Sequence, residues 1–297
     1  MTQTVLLSHS GSAPTVPAMG LMRLFSRPQR PASFLHGRVG FAVGDIHGRA
    51  DLLELLLAQL EARAEEERRD HGEPIIVFLG DYVDRGRDSR RVIELLLEGR
   101  PFGFERRFLR GNHEQAMRAF MDAPLENRNW VRYGGAETLV SYGVDPPAPI
   151  EADPEVWLAA AAALSASLPA SHLQFLDDLQ RYQVLGDYVF VHAGVDRARP
   201  PERQDDRDLY WSRDRFLNSS RPYSHRIVHG HSVVQAPYVD ERRIAIDTGA
   251  YASGVLTAAR FEGVEVSFIA TARQGPPAPT PETPVPPPLF AEAAQSS

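Results

Sequence analysis

The chain has 297 residues, a formal net charge of −7, 43% hydrophobic residues and no cysteine. This length is enough to bury the core of one large domain or of two small ones. The acidic balance argues against a general nucleic-acid binder, and the lack of cysteine excludes disulfides and thiolate metal sites. No apolar stretch is long enough to cross a bilayer and no secretory signal is evident, so we expect a cytoplasmic protein.

The two ends of the chain differ in composition from the middle. Residues 1–36 are rich in Ser, Pro and Thr without any periodicity, which predicts a disordered N-terminal arm. Residues 272–297 are proline-rich and of low complexity, which predicts a disordered tail. The predicted folded domain therefore runs from residue 37 to residue 271.

Strands and helices alternate in the first part of this domain. Val39–Val43 and Ile75–Leu79 are apolar and β-branched, which predicts two buried strands, and a shorter strand is predicted at residues 108–109. A leucine-rich helix follows the first strand, and Asp51 and Glu54 fit a capping box at its start. This alternation is typical of an α/β fold.

The second part of the domain begins with a long helical pattern interrupted by prolines. We interpret residues 115–182 as a helical insertion over the mouth of a site. Further strands are predicted after it, at residues 188–191, 226–228 and 244–246, followed by a hairpin of residues 255–261 and 264–269.

Most of the predicted strands end in a short polar cluster. Aspartate and glycine after a strand often form only a turn, but similar clusters recur along this chain. Open α/β sheets bind their ligands at the carboxyl ends of the strands, so the recurrence favours a site there. The ligand-type residues in the clusters are Asp45, His47, Asp81, Asn112, His113, His192 and His231.

The ligand types in these clusters point to a metal centre. Carboxylates, imidazoles and an amide oxygen suit Mn²⁺, Fe or Zn²⁺ better than soft Cu(I). Asp45 and His47 are separated by one residue, which places both side chains on one face of an extended stretch. Asp81 has two oxygens and can bridge two ions, which would sit about 3.5–4 Å apart, as in the centres that hydrolyse phosphate esters. We therefore expect two divalent ions, with manganese favoured, and a bridging hydroxide that attacks phosphorus in line.

Several other residues suit a phosphoryl group. Arg85, Arg110 and Arg213 can each donate forked hydrogen bonds to phosphoryl oxygens. His113 is placed to act as the general acid that protonates the leaving alkoxide, with Asp84 fixing its tautomer. Two alternatives stay open, because Arg85 could form a structural ion pair with Asp84 and Arg213 could be a surface residue.

Three motifs of the chain resemble, in order and separation, the signature motifs of the phosphoprotein phosphatase family of metallophosphoesterases. They are residues 44–48 (GDIHG), 80–86 (GDYVDRG) and 110–114 (RGNHE), and residues 192–194 and 230–231 resemble the two later histidine motifs. The pattern is most similar to the bacterial serine/threonine phosphatase-like members and their diadenosine tetraphosphate hydrolase relatives. Residues 247–251 stand where the eukaryotic enzymes have a C-terminal loop, so eukaryote-style regulatory subunits are not expected.

The resemblance implies a fold and a ligand assignment. The fold would be a four-layer α/β/β/α sandwich of two mixed sheets, with the helical insertion added. The first metal would be bound by Asp45, His47 and Asp81. The second metal would be bound by Asp81, Asn112, His192 and His231. His231 is favoured over His229 because it follows the glycine of its motif, whereas His192 could still be a core histidine.

The resemblance also implies an activity. We expect a serine/threonine protein phosphatase acting on a phosphoprotein or a small phosphorylated substrate, with no nucleic-acid partner. Hydrolysis of diadenosine tetraphosphate or another small nucleotide is the alternative, since the chemistry of the site would be the same. A non-enzymatic phosphate-binding protein is a distant third. The sequence does not define the oligomeric state.

Overall fold

The computed structural model describes residues 30–148 and 153–271. In these residues ten strands form two sheets. The strands are β1 (Val39–Val43), β2 (Ile75–Phe78), β3 (Glu105–Phe108), β4 (Gln183–Leu185), β5 (Tyr188–Phe190), β6 (Arg226–His229), β7 (Tyr238–Val239), β8 (Arg243–Ala245), β9 (Thr257–Glu262) and β10 (Glu265–Ala270).

The helices of the same residues occupy the connections between the strands. They are α1 (Ala50–His71), α2 (Ser89–Leu97), α3 (Asn112–Asp122), α4 (Ala136–Ser141), α5 (Pro154–Ser167), α6 (Ala170–Asp177), α7 (Asp206–Trp211), α8 (Asp214–Leu217) and α9 (Ala250–Ser253). A kinked turn, Val131–Gly135, with non-helical backbone angles at Tyr133 and Gly134, precedes α4, and a 3₁₀ turn, Pro201–Arg203, precedes α7.

Both sheets contain parallel and antiparallel pairs, as predicted. The first has the order β10-β9-β1-β2-β3, in which β1, β2 and β3 are parallel and β9 and β10 are antiparallel to their neighbours. The second has the order β4-β5-β6-β8-β7, with β5, β6 and β8 parallel and an antiparallel strand at each edge. Each sheet therefore has three parallel strands whose carboxyl ends share an edge.

The buried residues divide into three cores that separate four layers, so the predicted α/β/β/α sandwich is confirmed. Alternate residues of β1 show the division, because Phe41 and Val43 face the leucines of α1 while Ala42 faces the second sheet. The core between the sheets includes Val77, Phe190, Val228 and Phe261. The third core joins the outer face of the second sheet to α7 and α8, through Val189, Ile227, Leu209 and Phe216.

Several details differ from the sequence prediction. Strand β3 covers Glu105–Phe108, whereas the predicted strand covered residues 108–109. The capping box was wrong, because α1 begins at Ala50 and the Asp51 carboxylate pairs with Arg49, at 2.6 Å, instead of capping the helix. Strands β4 and β7 were not predicted. They are three and two residues long, which is too short for an alternating pattern to be visible.

The region interpreted as a helical insertion contains most of α3, the kinked turn and helices α4 to α6. No single helix of the described residues is both long and apolar enough to cross a bilayer. Helices α5 and α6 meet that test only when they are taken together, across a bend of 101°. Trp157, Ala160 and Leu164 of α5 are buried in the first core.

The packed domain begins earlier than the predicted boundary at residue 37. Residues 1–29 of the predicted arm and residues 272–297 of the predicted tail lie outside the described residues. Phe34 is only 3% exposed, its ring stacks on Phe261 at 6.0 Å between centroids, and its backbone N–H donates to the carbonyl oxygen of Gly263. The ring lies where a side chain on Gly40 would be, so this part of the arm belongs to the core between the sheets.

We expect Phe34→Ala to lower the free energy of unfolding by about 3–5 kcal/mol, because it removes a buried aromatic ring and leaves a cavity. Urea unfolding followed by circular dichroism measures this change. The matched control is Phe102→Ala, since Phe102 is 59% exposed and its loss should cost less than about 0.5 kcal/mol. Equal effects of the two substitutions would contradict the placement of Phe34 in the core.

Candidate metal centre

One carboxylate oxygen lies at the meeting point of the two sheets. Asp81 follows β2 of the first sheet, and its Oδ2 is 3.4 Å from His47 Nε2, which follows β1. The same oxygen is 3.4 Å from His192 Nε2, which follows β5 of the second sheet. All three side chains are buried. The structure thus places Asp81 between two histidines, as a ligand shared by two ions must be.

The donor atoms form two groups that share Asp81. One group is His47, Asp81 and His113, and the other is Asp81, His192 and His231, with the donor atoms of each group within 4.8 Å of one another. Asn112 joins the second group, because its Oδ1 is 2.8 Å from His192 Nε2 and 2.9 Å from His231 Nδ1. Two ligand atoms about 2.1 Å from one cation and at right angles would be about 3 Å apart, which fits these separations.

The Asp45 carboxylate lies beside the second group, because it contacts the backbone of His231. Its Oδ2 accepts a hydrogen bond of 2.9 Å from the N–H of His231, whereas its Oδ1 is buried with no protein partner among the described residues. A buried carboxylate oxygen without a partner is costly, and a cation at that oxygen would remove the cost. A side chain at Gly230 would collide with this oxygen, so the glycine keeps its surroundings open.

Backbone carbonyls fix the tautomers of two of the histidines. His47 Nδ1 lies 3.0 Å from the carbonyl oxygen of Val83, and His192 Nδ1 lies 3.0 Å from that of Leu79. A carbonyl oxygen only accepts, so each Nδ1 carries the hydrogen and donates it. The lone pair of each Nε2 then faces Asp81, which is the arrangement found in histidines that ligate metals.

Glu114 holds the loop that carries Asp81. Its carboxylate accepts the backbone N–H groups of Asp81, Tyr82 and Val83 at 3.0, 2.7 and 3.2 Å, and that of Gly111 at 2.9 Å. Burial raises the pKa of Glu114 to about 7. Glu114 belongs to the RGNHE motif, but the sequence predicted no role for it. The structure shows that its carboxylate joins the loop after β2 to the start of α3 through these hydrogen bonds.

The backbone around the centre is strained. In the described residues, every residue other than glycine with a positive φ belongs to the loops of this centre. Such conformations cost energy for residues with a Cβ and persist where the surrounding structure enforces them, most often at functional sites. These residues are His47, Asp81, Asp84, Arg85 and His231, with φ values of 47°, 53°, 73°, 68° and 60°.

Burial dominates the electrostatics of the centre. It raises the pKa of the Asp81 carboxyl to about 8 and lowers the pKa of the His192 imidazole to about 4. Burial and then the charges of Asp247 and Asp81 raise the pKa of Asp45 well above its usual range. Divalent cations favour ionised carboxylates and neutral imidazoles, so they would stabilise the carboxylates in the form that burial opposes. The donor set therefore fits a pair of divalent cations.

His113 and Asp84 form a hydrogen-bonded pair beside the ligand groups. His113 Nδ1 is 2.6 Å from Asp84 Oδ2, and His113 Nε2 is 4.0 Å from Asp81 Oδ2. Asp84 also accepts hydrogen bonds from Trp130 Nε1 at 2.7 Å and from Thr138 Oγ1 at 2.6 Å. Burial raises the pKa of Asp84 to about 7 and lowers that of His113 well below its usual range. The contacts of this pair are those expected of an oriented imidazole.

The three predicted phosphate-binding arginines differ in their surroundings. Arg85 lies with its guanidinium 4.6 Å from the centre of the Tyr251 ring, and its charge and that of Arg213 both lower the pKa of His113. Arg110 instead donates from Nη2 to the carbonyl oxygens of Leu176 and Asp177, at 3.1 and 3.2 Å. The structure therefore brings Arg85 and Arg213 to the centre and directs Arg110 to the end of α6.

The structure also places His229, the alternative to His231 as a ligand, and Asp247, which was not predicted as a site residue. His229 is fully buried, its Nδ1 donates to the carbonyl oxygen of Gly230, and its Nε2 is 3.2 Å from Arg243 Nη1. His229 belongs to neither ligand group, whereas His231 belongs to the second. Asp247 was missed, although it is buried after β8 and acts electrostatically on Asp45 and Asp81. Its position after a strand, like that of the predicted ligands, was a signal for it.

Residues 41–254 match the calcineurin-like phosphoesterase family, and the chain belongs to that family. It is therefore a metallophosphoesterase, a hydrolase of phosphoric esters, and the resemblance stated from the motifs is confirmed.

Two curated relatives bear different names. Serine/threonine-protein phosphatase 2 of Salmonella typhimurium is 29% identical over 226 residues, which cover 73% of this chain and 90% of the relative. Bis(5'-nucleosyl)-tetraphosphatase PrpE of Halalkalibacterium halodurans is 26% identical over 247 residues, which cover 75% and 90%. A solved structure of a protein proposed to be a diadenosine tetraphosphatase shares the fold, with a TM-score of 0.51, 20% identity, and coverage of 82% of this chain and all of that one.

We expect Asp81→Asn to lose at least one of two bound divalent ions, because a neutral amide oxygen cannot bridge two cations as a carboxylate oxygen does. Metal per chain, measured by atomic emission after dialysis, tests this. Asp208→Asn makes the same chemical change at another buried aspartate, which contacts Arg215, and should leave the metal content unchanged. A variant of Asp81 that keeps two ions at full occupancy would contradict the shared ligand.

Proposed function

We propose that this metallophosphoesterase is a serine/threonine protein phosphatase. The observation that carries the hydrolytic activity is the single oxygen of Asp81 that faces His47 and His192, with the pair of His113 and Asp84 beside it. The choice of a serine/threonine protein phosphatase is supported by two relatives of that name, which are 29 and 28% identical to this chain over 226 aligned residues.

The site residues divide the work of hydrolysis. Two divalent cations, when bound, supply an activated water and neutralise charge on the phosphoryl group. We assign them to Asp45, His47, Asp81, Asn112, His192 and His231. Arg85 and Arg213 hold the phosphoryl oxygens, which places the phosphorus atom. Arg110 would join them only by leaving the carbonyl oxygens of α6.

His113 completes the reaction as the general acid. The ionised Asp84 carboxylate, 2.6 Å from Nδ1, favours the doubly protonated imidazole and so opposes the burial that lowers the pKa of His113. From that form His113 gives the proton on Nε2 to the oxygen of the departing alcohol and becomes neutral, while the hydrogen on Nδ1 stays bonded to Asp84. A serine or threonine alkoxide is a poor leaving group, so protonation of its oxygen accounts for much of the rate of cleavage. Manganese as the metal and the cytoplasm as the location stay predictions, tested by metal analysis of the native protein and by cell fractionation.

Hydrolysis of diadenosine tetraphosphate is the second candidate function. It is favoured by several relatives named as asymmetrical bis(5'-nucleosyl)-tetraphosphatases. The same ligands would serve, since in both reactions water attacks a phosphorus atom and the bond from that phosphorus to a bridging oxygen breaks. Membership of a phosphoesterase family argues against the non-enzymatic alternative.

We expect the protein with Mn²⁺ to hydrolyse a phosphoserine peptide with a larger kcat/KM than it shows for diadenosine tetraphosphate. Phosphate release and nucleotide chromatography measure the two rates. A chelator should abolish both activities, and added Mn²⁺ should restore them. A kcat/KM that is much larger for the dinucleotide would replace the first function by the second, and activity that survives complete removal of metal would contradict both.

We expect His113→Ala to lower kcat on the phosphoserine peptide by about 10²–10⁴-fold, the range found when a general acid is removed. The variant should keep both metals, because His113 is assigned as the acid and not as a ligand. Steady-state kinetics and metal analysis are measured together, with His36→Ala as the control, since His36 is exposed. Loss of both metals from the His113 variant would remove His113 from the role of acid.

A further inference from the structure

A short part of the helical insertion reaches into the centre. It comprises residues 130–138, and we call it the kinked segment because the kinked turn Val131–Gly135 lies within it. Its two ends hold opposite oxygens of one carboxylate, since Trp130 Nε1 donates to Asp84 Oδ2 at 2.7 Å and Thr138 Oγ1 donates to Asp84 Oδ1 at 2.6 Å. Asp84 is fully buried, so these bonds are not exchanged for bonds to bulk water.

The hydrogen bonds around Thr138 fix which way its hydroxyl points. Thr138 Oγ1 is 2.9 Å from the backbone nitrogen of Asp84, 3.0 Å from Ser89 Oγ and 2.6 Å from Asp84 Oδ1. The amide only donates and an ionised carboxylate only accepts, so the single hydrogen of Thr138 goes to the carboxylate. Ser89 then donates to Thr138. This closed set of bonds leaves Asp84 one orientation, with Oδ2 towards His113.

The kinked segment also fits the backbone of the loop after β2. The N–H of Arg85 donates to the carbonyl oxygen of Gly134 at 3.0 Å. Gly134 has a φ of 116°, and a Cβ there would lie 2.7 Å from Arg85 Cγ and 2.8 Å from Arg85 N. Only glycine allows this approach. The segment therefore supports the two adjacent residues, Asp84 and Arg85, that have positive φ.

Trp130 is itself held firmly. It is buried in the first core, its ring lies 4.9 Å from that of Phe120, and a side chain on Gly135 would collide with the indole. The indole N–H is therefore placed by packing of the insertion and not by Asp84 alone. A donor fixed in this way can orient its acceptor.

We propose that Trp130 and Thr138 are positioning residues for the protonation of the leaving group, acting through Asp84 on His113. The inference rests on the proposed role of His113 as the acid. Thr138 binds Oδ1 and Trp130 shares Oδ2 with His113, so together the two donors fix both oxygens of the carboxylate. This keeps Oδ2 against Nδ1 and directs Nε2 towards the reacting atoms. The helical insertion thus serves the chemistry as well as access to the site.

The experiment compares two substrates with Thr138→Val and Trp130→Phe, which keep the approximate shape and remove the donor. The substrates are a phosphoserine peptide, whose alkoxide needs a proton, and p-nitrophenyl phosphate, whose phenolate leaves without one. We expect kcat to fall about 10–100-fold on the peptide and less than about 3-fold on p-nitrophenyl phosphate, with KM and metal content unchanged. Thr138→Ser keeps the hydroxyl, so this variant should retain most of the native kcat on the peptide.

Double variants test whether the effect passes through His113. If it does, Thr138→Val should cause no further loss of kcat in a chain that already carries His113→Ala. Ser165→Ala and Trp157→Phe are the matched controls, because they remove a hydroxyl and an indole from α5 of the same insertion. Ser165 bonds to the carbonyl oxygen of Ala161, and Trp157 lies in the first core. Both controls should leave the ratio of the two kcat values unchanged.

The outcomes separate this inference from the proposed function. Substrate-selective loss in His113→Ala, with equal loss on both substrates in the Thr138 and Trp130 variants, would overturn the inference alone. Loss of metal or of cooperative unfolding in both variants would assign the segment a structural role only, which also overturns it. A His113→Ala variant without substrate selectivity would overturn the acid assignment and this inference together.

Discussion

One oxygen atom governs the arrangement of this protein. Asp81 Oδ2 faces a histidine from each sheet, so both sheets and the loops after three of their strands must be placed to within a fraction of an ångström. The placement is costly, because it gathers carboxylates whose ionisation burial opposes and backbone angles that side chains disfavour. The extensive cores on both sides of each sheet supply the stability that offsets these costs.

Much of the centre was predictable because its residues stand directly after apolar strands. Parallel strands bring their carboxyl ends to one edge, so Asp45 and Asp81 of the first sheet could be grouped without knowing any distance, and so could His192 and His231 of the second. The same argument would have included Asp247, had its cluster been treated like the others. The layered fold followed from the order of the motifs, as their resemblance to a family implied.

The other features of the structure depend on contacts between residues that are far apart in sequence, which no local sequence pattern indicates. Trp130 and Thr138 are 46 and 54 residues from Asp84 in sequence, inside a region whose helical pattern gives no information about its partners. Phe34 lies in a stretch whose composition predicts disorder, and only its fit beside Gly40 reveals it as core. The direction of the Arg110 guanidinium is likewise decided by the end of α6, which no motif describes.

The position of Asp81 between the sheets links cation binding to the folding of the whole domain. Candidate ligands from both sheets converge there, so cations bound to them in the native state would act as a removable cross-link between the two halves of the sandwich. Their contribution to stability grows with the logarithm of the free cation concentration above the dissociation constant, by about 1.4 kcal/mol for each tenfold increase for one site. Depletion of divalent ions would therefore loosen the junction of the sheets as well as stop turnover.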